Sequence, residues 1–195
     1  MNLIIASNNT HKIDEIRAIL APYFDRILSQ REAGLVLEVE ETGETFLENA
    51  LLKARGAARA LGTAALADDS GLCVDCLDGA PGVYSARFAG PQHDDADNNR
   101  KLVGLLADVP APRTARFVSA AALVYPDGRE ITALGTAEGE ILLEPRGQDG
   151  FGYDPLFYYP PLDKTFAQMS FEDKNRVSHR HNCLMALKKQ LDGVL

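Results

Sequence analysis

Four segments of the chain combine residue types and spacings that could do chemistry. The first is Ser7, Asn8, Asn9, Thr10, His11 and Lys12, a polar stretch between an apolar run and a helical pattern. A helix N-terminus offers free backbone N–H groups and a positive dipole end, which suits phosphate. Lys12 adds a charge one turn in, although an ordinary capped turn accounts for the same residues. The second is EETGETFLENALLKA, Glu40–Ala54. Glu40 and Glu41 precede a turn and are free to point at something, while Asn49 and Lys53 share one helix face. A solvated face with an intrahelical pair explains them equally. The third is ADDSG, Ala67–Gly71, which reads as two adjacent carboxylates at the end of a short apolar strand. Strand ends in α/β folds are where ligands sit, and carboxylates there suit Mg²⁺ beside phosphate oxygens. The fourth joins FGYDP, Phe151–Pro155, to SHR, Ser178–Arg180, with Lys174 just upstream. Phe151 offers a ring face for a base, Asp154 an acceptor, and His179 and Arg180 donors. A core strand and a capped helix start are the plain alternatives.

Other chemistries lack support. No GxxxxGK[ST], GxGxxG or GxSxG is present, and the four histidines form no HExxH. Cys73 and Cys76 make a C-x-x-C with no second pair or nearby histidine to complete a zinc set.

These segments need elements to hold them. Asn2–Ala6 predicts a strand, and Ile13, Ile16, Ile19 and Leu20 recur at helical spacing, predicting a helix over Thr10–Ala21 closed by Pro22. Thr45 with Glu48 is a capping box opening a second helix, with Phe46, Leu47, Ala50, Leu51, Ala54, Ala58 and Leu61 inward and Gly62 as its stop. Ala64–Ala67 predicts a short strand, Leu72–Leu77 another, and Gly79–Gly82 a tight loop. Asp94–Leu106 predicts a helix with Leu102, Leu105 and Leu106 inward. Arg116–Tyr125 and Glu130–Glu138 predict a hairpin around Pro126-Asp127-Gly128. Phe151–Tyr159, with five aromatics in nine residues, predicts an extended segment, and Ser178–Leu191 a closing helix with Leu184, Leu187 and Leu191 inward. Strands and helices mix without strict βαβ alternation, which predicts an α/β fold with a mixed, partly antiparallel sheet.

The chain has 195 residues, 46% of them hydrophobic and 25% charged, which fits one domain able to bury a core without disulfides or zinc. Its net charge of −8 argues against coating nucleic acid, yet leaves room for a small anion at a local basic pocket or metal. No apolar run is long enough to span a membrane, and the N-terminus does not read as a signal peptide. Three cysteines without a framework fit a reducing cytoplasm.

Taken together, SNNTHK, EETGETFLENALLKA, ADDSGL, GAPGVYSAR, GFGYDPLF and K-x-x-x-SHR run in one order from Ser7 to Arg180. In this the chain resembles the inosine/xanthosine triphosphate pyrophosphatases, which act on non-standard purine nucleotides. The resemblance implies a single two-lobed domain over 1–195: an elongated, curved mixed sheet flanked by helices, with the active-site cleft between the lobes. It implies a homodimer that hydrolyses ITP, dITP or XTP to the monophosphate and pyrophosphate with Mg²⁺, cleansing the nucleotide pool.

A triphosphate carries about four negative charges and needs cations on several sides. Lys12, Lys53 and Lys174 supply fixed charge under that reading, and Ser7–Lys12 cradle phosphates. Glu40 and Asp69 are the expected metal ligands, with Glu41 and Asp68 the neighbours most easily exchanged for them. Asp69 is the expected base for water, and Ser70 touches phosphate or sugar. Phe151 stacks the purine, Asp154, His179 and Arg180 read its edge, and Gly152 and Tyr153 belong to the same substrate-binding turn. Two rivals stay open: a pyrophosphatase for pyrimidine triphosphates, and a non-catalytic nucleotide-binding regulator.

Overall fold

Three successive buried apolar residues, Leu3, Ile4 and Ile5, make β1 (Asn2–Ile5) a strand covered on both faces. The computed structural model describes residues 1–193, so the last two residues of the expected domain lie outside it. After β1 come α1 (Thr10–Leu20), β2 (Arg26–Ser29), α2 (Phe46–Leu61), β3 (Ala64–Val74) and α3 (Asp95–Leu106). Then follow β4 (Thr114–Val124), β5 (Glu130–Ile141), β6 (Phe157–Tyr159), β7 (Lys164–Thr165), α4 (Phe171–Val177) and α5 (His179–Asp192). The seven strands form one sheet in the order β2-β1-β3-β4-β5-β6-β7. β1 runs parallel to β2 and β3, whereas β6 is antiparallel to β5 and β7. The expected mixed α/β sheet is therefore present.

The chain divides into two units. The first comprises Met1–Asp69, Ser119–Gly135 and Arg180 onward; the second comprises Ser70–Val118 and Thr136–His179. In the first unit, strand alternation builds two cores. Leu3, Ile5, Ala64, Leu66, Ala121 and Leu123 pack against Ile13, Ile16 and Leu20 of α1 and Leu184, Leu187 and Leu191 of α5. The intervening residues Ile4, Ala65, Ala67, Ala122 and Val124 pack against Ala50, Ala54, Ala57 and Ala58 of α2. The second unit has an aromatic core, in which Phe117 lies 4.6 Å from Phe157 and 5.8 Å from Phe166 between ring centroids. Leu72, Leu102, Leu106 and Ile141 fill around them.

Several expectations change. Asp68–Gly71 does not end a strand, because β3 runs unbroken through it to Val74, and Asp75–Leu77 is a 3₁₀ turn rather than strand. Carboxylates inside a strand are tolerable here because cations meet both of them. Phe151–Leu156 is a chain of turns, and only Phe157–Tyr159 is strand. Leu105 is half exposed rather than inward. β2, β7 and α4 were not foreseen. The helix of α1 stops at Leu20, with Pro22 inside a following 3₁₀ turn.

Candidate functional site

Because β3 alternates, Asp68 and Asp69 face opposite sides of the sheet. Asp68 follows Ala64 and Leu66 toward α1 and α5. There its Oδ2 lies 2.9 Å from Lys12 Nζ and 3.2 Å from Arg180 Nε. Arg180 Nη1 also lies 3.2 Å from Glu15 Oε2. Burial alone would raise the Asp68 carboxyl, but Lys12 and Arg180 overcome it and hold the group well below the usual carboxylate range. Burial pushes Lys12 down, with Asp68 opposing. Among the described residues, Asp68 Oδ1 is buried with no hydrogen-bond partner.

Asp69 follows Ala65 and Ala67 toward α2. Lys53 Nζ lies 3.2 Å from Asp69 Oδ1 and 2.8 Å from Glu41 Oε1, and Asn49 Nδ2 donates to Asp69 Oδ2 at 3.3 Å. Burial and the nearby Glu41 raise the Asp69 carboxyl against the pull of Lys53. Burial would lower Lys53, but Asp69 and Glu41 together hold it up. Glu41, not Glu40, therefore shares a lysine with Asp69; Glu40 is exposed.

The strap that carries Glu41 is laid on α2. Leu37 and Val39 pack where Gly56 has no side chain: a Cβ there would sit 3.1 Å from Leu37 and 3.2 Å from Val39. Asn49, fully buried, accepts the Gly43 N–H at 2.8 Å and so ties the end of the strap to Asp69. The capping box predicted at Thr45 and Glu48 is present and starts α2 beside these groups.

The phosphate-type loop behaves as a cap. Asn9 Oδ1 accepts the Lys12 N–H, and Ser7 Oγ accepts the Asn9 N–H, both at 3.2 Å. Asn8, Thr10 and His11 are exposed, leaving the first turn of α1 accessible.

In the second unit, Phe151 heads a turn and is 47% exposed. Buried Asp154 accepts the Phe151 N–H at 2.9 Å and pairs with Lys174, whose Nζ lies 4.9 Å from the Phe151 ring centroid. Asp154 is thus tied to its own turn. Tyr153 is buried and donates to the Ser85 carbonyl at 2.7 Å, while Ser85 Oγ accepts the Leu72 N–H at 2.8 Å. The GAPGVYSAR stretch therefore serves as a brace. His179 stacks on Phe117 at 4.8 Å, and Ser70 is half buried in β3.

Of the residues expected from sequence, the first unit assembles Lys12, Asp68 and Arg180 in one cluster and Lys53 and Asp69 in another. The second assembles Phe151, Asp154 and Lys174. Arg180 was expected at the purine edge, yet Asp68 and Glu15 engage it. Sequence reasoning missed Glu15, which lies three residues after Lys12 on α1, and it left Asn49 as a plain helix-face residue.

Lysines and carboxylates set at the end of an α1 cap, around a mixed α/β sheet, define a protein suited to a small polyanion. A model of the Ham1 family matches residues 3–190. The chain is 51% identical to the dITP/XTP pyrophosphatase of Desulforamulus reducens, covering 98% of this chain and 94% of that one. It is 49% identical to the dITP/XTP pyrophosphatase of Exiguobacterium sibiricum, covering 100% and 99%. The solved Ham1 protein of Staphylococcus aureus superposes with a TM-score of 0.92 at 43% identity, both chains fully covered. The chain belongs to the Ham1 family.

Proposed function

We propose that this protein hydrolyses non-standard purine nucleoside triphosphates (dITP, ITP and XTP) to the monophosphate and pyrophosphate, clearing them from the nucleotide pool. The observation that carries the reading is 51% identity along the whole chain to a dITP/XTP pyrophosphatase. The Asp69–Lys53–Glu41 cluster supports it with a carboxylate and a cation where hydrolysis needs both.

A divalent cation fits the first unit. Two carboxylates, Asp69 and Glu41, share one lysine, and burial with the neighbouring Glu41 raises Asp69, a charge imbalance that a hard cation would relieve. Asp69 with Glu41 or Glu40 would hold Mg²⁺, which when bound neutralises phosphate charge and acidifies water. Ser7–Lys12 would bind phosphate oxygens at the α1 N-terminus, and Lys53 would add fixed charge. Asp69 would accept the proton of a water whose oxygen attacks the α-phosphorus. The bond from that phosphorus to the bridging oxygen then breaks, and pyrophosphate leaves with the electron pair.

In the second unit, Phe151 would stack the purine, with Gly152 and Tyr153 shaping its turn, Lys174 alongside and Ser70 near sugar or phosphate. His179 would donate to the C6 oxygen of hypoxanthine or xanthine, an acceptor that adenine replaces with an amino donor. Arg180, held by Asp68 and Glu15, would act from the Lys12 cluster rather than from the base edge. We also infer a homodimer in a reducing cytoplasm, which fits cysteines that are unbonded to one another. Among the described residues, no helix is long and apolar enough to cross a membrane.

A pyrophosphate-release assay with ITP, dITP, XTP, ATP, GTP and the pyrimidine triphosphates tests the reading. IMP and pyrophosphate from ITP are expected, far above the ATP rate. IDP with orthophosphate, a preference for pyrimidines, or binding without turnover would each overturn it.

A further inference from the structure

We propose that Asp95 and Asn99 of α3 are specificity-positioning residues that set the pose of the Phe151 ring by gripping the main chain of Gly152. The inference rests on the base-stacking role given to Phe151 above. Asp95 Oδ2 accepts the Gly152 N–H at 2.8 Å, and Asn99 Nδ2 donates to the Gly152 carbonyl at 2.9 Å. The two residues are four apart on α3, so one helix face presents both groups a turn apart. They meet one residue's donor and acceptor with the matching polarity.

Gly152 suits this grip. Its φ of 60° is left-handed, which a residue with a side chain adopts only under strain. The helix therefore reaches the turn through backbone alone. α3 is itself firmly held: Asp94 accepts the Asp97 N–H, and buried Asn98 binds both the Ala89 N–H and the Ala86 carbonyl. Leu102 and Leu106 anchor its far end in the aromatic core. The opposite side of the turn is held by Asp154, through the Phe151 N–H. Phe151 lies between these anchors and is 47% exposed. Beyond the Lys174 ammonium 4.9 Å from its centroid, so open a ring leans little on packing, and the backbone anchors on both sides set its direction.

A stacked base with one matched edge depends on that pose, and a displacement of about 1 Å can cost about 10²-fold in rate. Most of the loss falls on the substrate whose edge is matched. ATP, held without that match, has less to lose.

The test compares Asn99→Asp, Asp95→Ala and Asp95→Asn with the wild-type enzyme on ITP and ATP. Asn99→Asp keeps the shape but turns an acceptor toward the Gly152 carbonyl. It also sets a like charge one turn from Asp95, a small cost that leaves the fold intact. Asp95→Ala removes the acceptor, and Asp95→Asn keeps one. Asn99→Asp and Asp95→Ala should raise KM for ITP about 10-fold and narrow the ITP-to-ATP ratio of kcat/KM about 10-fold, with thermal midpoints near wild type. Asp95→Asn should restore the ratio. Equal losses on both nucleotides, an unchanged ratio, or an Asp95→Asn variant as poor as Asp95→Ala would overturn the positioning role while leaving the functional reading intact. A wild-type enzyme that does not prefer ITP to ATP would overturn the functional reading first, and this inference with it.

Discussion

Asp68→Asn and Asp69→Asn remove the same charge one residue apart, and their expected consequences diverge. Asp68 is the shared counter-charge of half-buried Lys12 and buried Arg180. Neutralising it leaves Lys12 without its carboxylate and Arg180 with Glu15 alone. Breaking a buried pair typically costs about 3–5 kcal/mol, so the denaturation midpoint should fall sharply. A variant as stable as wild type would remove Asp68 from that role. Asp69→Asn leaves Lys53 with Glu41, so stability should hold. Turnover should instead drop about 10²–10⁴-fold, as for loss of a general base, with nucleotide binding much less affected. Near-normal turnover would exclude Asp69 from the chemistry. Asn49→Leu probes the link between them and the strap. It removes the acceptor of the half-buried Gly43 N–H and the donor to Asp69, and about 1 kcal/mol of stability should go with them, read from equilibrium unfolding.

At the scale of elements, α2 is both a helix and a seat. Gly56→Val would drive branched methyls into Leu37 and Val39, which lie at contact distance from where a Cβ would stand. Overpacking of this kind costs about 1–3 kcal/mol, and the displaced strap should loosen Glu41 from Lys53. An unchanged melting temperature would show that the strap yields freely. α2 was legible in the sequence because its cap, its apolar stripe and its stop are all local signals. β3 was misread because Asp-Asp-Ser-Gly has turn chemistry, and the cations that let it stay extended come from Lys12, Lys53 and Arg180, far off in the chain. The Phe151 turn was misread for the opposite reason, since aromatic content suggested a strand where glycines and Asp154 make a turn. β7 is two residues long and exists only by pairing with β6. The chemical residue types at Lys12, Lys53 and Asp69 were visible in sequence; the choice of Glu41 over Glu40 beside Lys53, and the place of Arg180, needed three dimensions.

At the scale of the whole molecule, a chain of net charge −8 must take up a substrate carrying about four negative charges. On the proposed reading, local lysines would offset part of this and a divalent cation the rest. Chelation with EDTA should therefore abolish pyrophosphate release, and excess Mg²⁺ should restore it; activity that survives chelation would remove the metal from the reading. The route of the chain has a separate consequence. It leaves the first unit after Asp69, returns at Ser119, leaves again after Gly135 and returns at Arg180. Leu184, Leu187 and Leu191, which complete a core begun by Leu3 and Ile5, come from the segment that re-enters at Arg180, far along the chain from those strands. At about 5–20 residues per second, about 5–20 s separate the making of Asp69 from that of Arg180, and through that interval β1 and α1 lack the α5 face they finally pack against. A chain ending at Val177 should accordingly leave Met1–Asp69 open to protease, where the full-length protein resists. In a growing polypeptide that delay would leave Leu3, Ile5 and Ile16 as apolar surface open to a chaperone until α5 arrives to cover them.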